Sequence, residues 1–479
     1  MQTQPMWIGG RWLPARSGRS FATINPATGE RVGEVALAGA DDVDAAVAAA
    51  LAALPAWSRT SQAERSRVLA RFAASIREHA EAIAQLESIE HGTPISDARH
   101  IVAWAADLVE YTASVSRSLM GSHVPTQPGV VSYLQRVPVG VCALITPWNV
   151  PFIMMAVKLA PALATGNTCV MKPPSVNSLT GLKFAKLVAA LELPPGTVNI
   201  VTGPGGSVGT ALASHPDVDL VGFTGSTETG RSIMAAASPT IKKLVMELGG
   251  KNPFIILPDA DLDRAAKLLA FRQFNNAGQH CSSPGRYYVH ASVHDAFVER
   301  LVAAARGVAV GDPSDPKTAM GPLVSAEHRA HVERCIASGL ADGARLACGG
   351  QRPSAPALQA GFFLEPTVLV DVRHEMAVAR DEIFGPVACV LRYESDDEVL
   401  RQANDSDYGL CAGVFTRDVA KGLRMAGELR AGSVFVNTHM LTPEMPWGGG
   451  IKQSGLGKEG SIVGLEEFTE LKLICVEIT

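Results

Sequence analysis

The chain has 479 residues, of which 47% are hydrophobic and 19% charged, with a formal net charge of −5. That balance excludes an intrinsically disordered chain, and the absence of a basic stripe argues against nucleic acid or an anionic membrane as partner. The length exceeds the roughly 250–300 residues that one hydrophobic core serves, so more than one domain is expected.

The opening stretch MQTQPMWIGGRWLPARSG lacks a charged start followed by an apolar core, so no signal peptide is expected there. No run of about 18 apolar residues is present to span a membrane. The eight cysteines, at positions 142, 169, 281, 335, 348, 389, 411 and 475, are scattered and form no C-x-x-C pair. Neither a zinc or other metal site nor a disulfide framework is implied, and a reduced, cytoplasmic protein is expected.

The first ~130 residues are rich in Ala and helix formers. ADDVDAAVAAALAAL (40–54) predicts an amphipathic helix with an acidic start, and 61–85 and 99–118 predict two more. PTQPGVVSYLQRVPVG (125–140) differs: Pro and Gly bound a run of β-type residues, which predicts an extended excursion. From residue 140 short apolar strands alternate with helices: GVCALIT, a helix over 152–163, NTCVMK, a helix over 179–191, VNIVTG, a helix over 206–214, DLVGFTG, a helix from 228, and KKLVMEL. Strands apolar on both faces and joined through helices predict a parallel, doubly wound α/β domain. A second alternating region runs through NPFIIL, RYYVH, EPTVLVDV, PVACVLRY, CAGVFT and SVFVN. The tail LKLICVEI (471–478) is strand-like and is expected to pair with the 125–140 excursion or with another subunit.

Chemistry-bearing residues fall at strand ends. TPWNVP places Asn149 in a Pro-bounded turn, either a rigid donor for an oxyanion or an ordinary turn Asn. Lys172 ends the strand in VMKPPS, at the ligand edge of such a sheet, where it holds a ribose or meets solvent. FTGSTETG (223–230), with Thr224, Gly225 and Ser226, opens a helix whose N–H groups suit a phosphate, or is a plain βα turn. VTGPGGSVG (201–209), with Gly205, is a similar turn. Glu247 in MELGGKNP is a general base or a cap, and Glu382 in EIFGPV a ribose ligand or a cap. Cys281 in FNNAGQHCSSPGR is a nucleophile or one more small buried hydrophobe. Together these groups complement one another as hydride transfer from a covalent thiol adduct requires.

Seven motifs in register, PWN (147–149), KP (172–173), FTGST (223–227), ELGGK (247–251), GQHC (278–281), EIFGP (382–386) and PWGGGIKQSGLGKEG (446–460), make the whole chain resemble the NAD(P)-dependent aldehyde dehydrogenase superfamily. The resemblance implies two doubly wound α/β domains, a Rossmann-type coenzyme domain (1–118 and 139–248) and a catalytic domain (249–448). It adds a β oligomerisation extension with C-terminal tail (119–138 and 449–479), and hence a homodimer or homotetramer. It implies that Cys281 attacks the aldehyde, that Asn149 and the Cys281 N–H hold the oxyanion, that Glu247 activates water against the thioester, and that Lys158 supports proton relay. Lys172 and Glu382 would hold the riboses and Ser226 the pyrophosphate, with Trp148, Ser175, Gly205, Thr224, Gly225, Leu248 and Phe384 completing the coenzyme site.

The resemblance further places Trp104, Val150, Met154, Val157, His280, Ser282, Leu441 and Trp447 along the substrate tunnel. Its apolar walls imply a hydrophobic or aromatic aldehyde, and the lack of Arg there argues against a carboxylate-bearing semialdehyde. Asp107, Glu110 and Glu444 offer the alternative of an ammonium-bearing aldehyde, as in the aminoaldehyde and betaine-aldehyde branches. Ser175 stands where NAD-preferring relatives often carry Glu, so NAD use with NADP also accepted is expected. His280 lines the tunnel mouth, or turns to solvent or backbone. CoA-acylating relatives typically lack a base at the Glu247 position, and silent members lose the cysteine or the glutamate; this chain keeps both.

Overall fold

The computed structural model describes residues 2–478. Two large sheets organise it. The first is eight-stranded, and its inner strands Lys243–Glu247, Leu220–Thr224, Val141–Ile145, Thr168–Lys172 and Val198–Ile200 lie side by side and parallel. Short N-terminal strands Met6–Ile8 and Arg11–Leu13 extend one edge, and Gly455–Leu456 the other. Side chains alternate in register with the pleat: Val141, Ala143 and Ile145 enter one core, Cys142 and Leu144 the other. Both faces are therefore covered by helices, which explains the unbroken apolar strands.

Sequential strands run outward from Val141–Ile145 in one direction, and Leu220–Thr224 then begins on its other side. The reversal opens a crevice at the carboxyl ends of these strands, the place where open α/β sheets take ligands.

The second sheet is seven-stranded, in the order Arg345–Cys348, Thr367–Val370, Val387–Tyr393, Pro284–His290, Asn252–Ile256, Cys411–Phe415, Ser433–Val436. All neighbours are parallel except the first pair. The chain leaves the carboxyl end of the first sheet at Glu247 and enters the amino end of the second at Asn252. This crossing brings one sheet's ligand edge onto the other sheet's starting edge.

The tail strand Thr469–Glu477 pairs antiparallel with Val130–Pro138 along its whole length, from Thr469 opposite Pro138 to Glu477 opposite Val130. Ser122–Val124 completes this third sheet.

Two expectations change. The N-terminal segment is mainly helical, through Ala40–Ser58, Gln62–Glu78, Ala80–His91 and Ile95–Val115, but it also holds strands not expected there: besides those above, Ser20–Ile24 and Arg31–Ala36 form a ribbon. The helix expected over 61–85 is two, Gln62–Glu78 and Ala80–His91, broken at His79. Among the described residues, no helix is long and apolar enough to cross a membrane.

Candidate active site

Cys281 is half-buried on a turn that precedes strand Pro284–His290. The turn is reached through Asn276, Ala277 and Gly278, all in the left-handed region at φ +51°, +54° and +71°. A Cβ on Gly278 would lie 2.1 Å from the Gly385 carbonyl oxygen, so glycine is required there. The two non-glycine residues store about 1–3 kcal/mol each, the kind of strain that tertiary contacts must hold at functional sites. Two contacts do so across the sheets: the Asn276 side chain donates to the Asn149 carbonyl at 2.8 Å, and Asn149 Nδ2 donates to the Gln279 carbonyl at 2.8 Å. An amide nitrogen carries two hydrogens, so Asn149 keeps one for another acceptor.

Burial pushes the Cys281 thiol up to about 12, with Glu247 and Glu382 adding to the shift. The thiol is therefore protonated at rest and needs a base or a bound cationic group to ionise.

Glu247 ends its strand fully buried and accepts the Gly449 N–H. Gly448, at φ +65°, lets the chain pass: a Cβ there would meet Glu247 Oε1 at 2.4 Å. Burial, then the neighbouring Glu459, hold the Glu247 carboxyl well above the ordinary carboxylate range, with Lys158 partly opposing them. Lys158 is the one charge on Pro151–Ala164, a helix buried along its whole length. Such a cation needs a partner, and Glu459 supplies it at 2.6 Å. Glu459 lies inside the late glycine-rich motif, yet had no assigned role; a lone lysine in an apolar helix was the signal that could have found it.

Lys172 is not solvent-exposed. It is 3% accessible, its Nζ meets only the Pro173 carbonyl at 2.9 Å, and burial lowers it to about 8. Glu382 accepts the Gly250 N–H at 3.1 Å and is raised by burial to about 7. Ser226 caps helix Thr227–Ala237, accepting the Thr229 N–H at 3.2 Å. Leu248 closes against Gly230 of that helix. Thr224 Oγ1 is buried without a partner, and added Cβ atoms on Gly205 or Gly206 would meet nothing within 4 Å. A free hydroxyl, an open glycine turn and a helix N-terminus along one sheet edge fit a pyrophosphate. Ser175 is half-buried nearby and brings no charge. Phe384, at φ +54°, is held through its carbonyl by His328 at 2.8 Å, and Trp148 meets its ring edge-on at 5.3 Å.

Of the tunnel candidates, Trp104, Val150, Met154, Val157 and Trp447 belong to one apolar cluster, with the two tryptophan rings 6.2 Å apart. Leu441 packs instead against the core of the second sheet. His280 bonds the Asn275 side chain at 3.0 Å, and burial lowers it to about 4, so it is neutral. Ser282 turns its carbonyl to His439 at 2.9 Å. Asp107 and Glu110 both pair with Arg77, at 2.9 and 2.5 Å, whereas Glu444 is exposed beside Tyr111. Among the described residues, no group of three or more His, Cys, Asp or Glu is arranged to hold a metal ion.

A doubly wound sheet whose ligand edge closes over a thiol-bearing turn defines a two-sheet α/β protein of the dinucleotide-binding class. Within that class, the chain belongs to the aldehyde dehydrogenase family, which it matches over residues 12–474. It is similar to a Burkholderia cenocepacia protein assigned to the aldehyde dehydrogenases, at 40% identity over 100% of this chain and 98% of that one, with a TM-score of 0.98. A betaine aldehyde dehydrogenase from Staphylococcus aureus in complex with NAD+ is 36% identical over 100% of this chain and 95% of its own, also at a TM-score of 0.98. An E. coli NADP-dependent enzyme is 39% identical over 99% and 98%, at 0.96.

Proposed function

We propose that this protein is an NAD(P)-dependent aldehyde dehydrogenase that oxidises a hydrophobic or aromatic aldehyde to its carboxylic acid through a thioester on Cys281. The observation that carries the reading is the convergence at the seam of the two sheets: the Cys281 turn is bonded to Asn149, and Glu247 lies close enough to raise the thiol. Cys281 gives up its thiol proton to water, and the thiolate adds to the carbonyl carbon. The free Asn149 N–H and the Cys281 N–H stabilise the oxyanion, each worth about 3 kcal/mol. NAD(P)+, when bound, would supply the hydride acceptor for the adduct on Cys281. Glu247 then removes a proton from water as the water attacks the thioester, releasing acid and free thiol. The Lys158–Glu459 pair beside Glu247 supports carrying that proton onward.

Lys172 and Glu382 would hold the two riboses, and Ser226 with Thr224, Gly225 and Gly205 the pyrophosphate. Trp148, Leu248 and Phe384 would shape the nicotinamide end. No carboxylate stands at Ser175 to repel a 2′-phosphate, which supports use of both NAD+ and NADP+. The two relatives described with NAD+ and with NADP accord with this.

A second reading is an ammonium-bearing aldehyde, favoured by the likeness to a betaine aldehyde dehydrogenase. Against it, Asp107 and Glu110 are exposed and share the one guanidinium of Arg77, which leaves a single net negative charge among the three. The test is NAD(P)H formation with benzaldehyde, hexanal and 4-aminobutyraldehyde, each with NAD+ and NADP+ and without CoA. The apolar aldehydes should give the highest kcat/KM; a clear lead for 4-aminobutyraldehyde would transfer the assignment to the second reading.

Among the described residues, the tail strand Thr469–Glu477 leaves one edge unpaired and exposes Leu471, Leu473 and Val476. An edge of this kind invites another strand, which supports a homodimer or homotetramer. Sedimentation should give the mass of two or four chains; a monomer at micromolar concentration would contradict it.

A further inference from the structure

The turn that carries Cys281 has all four of its carbonyls occupied. The His280 carbonyl accepts the Ser283 N–H at 3.1 Å and closes the turn. One nitrogen, Asn252 Nδ2, donates to both the Cys281 and Ser283 carbonyls, at 2.7 and 2.8 Å. The Ser282 carbonyl is held by His439 Nε2 at 2.9 Å, with the Cys411 thiol at 3.6 Å from the same oxygen.

The two clamping side chains are themselves fixed. Asn252 Oδ1 accepts the Cys411 N–H at 3.1 Å, which leaves only its nitrogen to face the turn. His439 is 3% exposed and stacked between Phe254 and Phe435, with ring centroids at 5.4 and 4.7 Å. Its own carbonyl accepts from Arg272 at 2.5 Å. Because Nε2 faces a carbonyl, it must carry the hydrogen, and Nδ1 is left buried without a partner. Such an arrangement is costly for a histidine whose only task is packing, since a phenylalanine would fill the same aromatic stack without an orphaned nitrogen.

The geometry says what the clamps achieve. A trans peptide points its C=O and its N–H in opposite directions. With the His280 carbonyl turned into the loop, the Cys281 N–H points out of it. With the Cys281 carbonyl held by Asn252, the Ser282 N–H of the same peptide points away from Asn252. Holding the Ser282 carbonyl fixes the peptide whose N–H closes the turn.

We propose that His439 and Asn252 are positioning residues of the reaction, holding the carbonyls of residues 281–283 so that the Cys281 and Ser282 N–H groups stay aimed at the thiol and at the oxygen that becomes negative when it attacks. The inference rests on Cys281 being the nucleophile of the proposed function. It goes beyond that function in naming residues that touch neither substrate nor coenzyme yet set the rate.

The test uses His439→Phe, which keeps the stack and removes the donor, His439→Gln, which returns an amide donor, and Asn252→Ser, which shortens the other clamp. Melting temperature and KM for NAD+ report on the fold and the coenzyme site. The pH profile of Cys281 alkylation by iodoacetamide reports on the two N–H groups; Glu247 and Glu382, the other groups that bear on the thiol, are unchanged in all three variants. His439→Phe and Asn252→Ser should each lower kcat roughly tenfold to a hundredfold, as misplacement of a reacting group does, with KM for NAD+ unchanged. Both should move the alkylation midpoint to higher pH, and His439→Gln should return toward wild type on both readouts. If His439→Phe does not fold, Asn252→Ser and His439→Gln carry the same readouts. Alkylation profiles that superimpose on wild type in the folded variants overturn the proposal, as does a Gln variant no better than Phe. Alkylation needs neither aldehyde nor coenzyme, so a wild type that fails to oxidise any aldehyde counts against the function, and an unmoved profile counts against the positioning alone.

Discussion

Cys281→Ala should abolish aldehyde-dependent NAD(P)H formation, lowering kcat by a factor on the order of 10⁴ or more, while the protein still folds. The size follows from the role: a nucleophile that forms the covalent adduct has no substitute, and residual catalysis by the surrounding donors is small beside it. Stability should change by only about 1 kcal/mol, because the side chain is half-buried and small. Cys281→Ser should fare little better, since a hydroxyl ionises far less readily than a thiol. The other cysteines offer no replacement: Cys411, whose thiol Cys281 helps to raise, is buried and lies well above the ordinary range, first by burial. NAD(P)H assays on folded variants, checked by circular dichroism, measure this directly. Activity of the alanine variant within tenfold of wild type would remove Cys281 from the mechanism.

Glu247→Gln should separate the two halves of the reaction. With no base for water, the first turnover proceeds and the thioester then persists, so NAD(P)H appears as a burst of about one equivalent per chain before a slow steady state. Loss of general-base catalysis sets the steady-state fall at about 10²–10⁴-fold. The pH dependence gives a second check. Burial and Glu459 hold the Glu247 carboxyl well above its ordinary range, so it reaches its basic, ionised form at a higher pH than an ordinary carboxylate. Wild-type turnover should therefore climb toward alkaline pH, and the Gln variant should lose that limb. Lys158→Met, which leaves Glu459 buried without its cation, should slow the same second step by a smaller factor. A Gln variant with no burst and a uniformly slow first turnover would place Glu247 in thiol activation instead.

The alternating strands from residue 140 onward could be read in advance because each is short, apolar on both faces and bounded by turn residues, as a parallel sheet under two helical layers demands. The N-terminal strands could not. Met6–Ile8 and Arg11–Leu13 are three residues each, too short for period-two alternation to register. The break at His79 was hidden because Gln62–Glu78 and Ala80–His91 carry their apolar positions without a Gly or Pro between them.

Within the site, residues at strand ends were legible because sheet topology alone brings them to one edge. Asn252 and His439 were not, since each acts through a partner more than 25 residues away in the chain and no local pattern encodes that distance, whereas Glu459 was signalled only through the lone Lys158 that it pairs. The tunnel residues implied by the resemblance draw on two cores, since Leu441 packs against a different one from Trp104 and Trp447.

The most direct measurement is to trap the acyl group. Glu247→Gln is mixed with benzaldehyde and NAD+, quenched in acid, digested and examined by mass spectrometry. A benzoyl group on the peptide that carries Cys281, present only when both aldehyde and NAD+ were supplied, is the predicted result. An unmodified Cys281 in a reaction that has produced NADH, or an acyl group on another residue, would contradict the account.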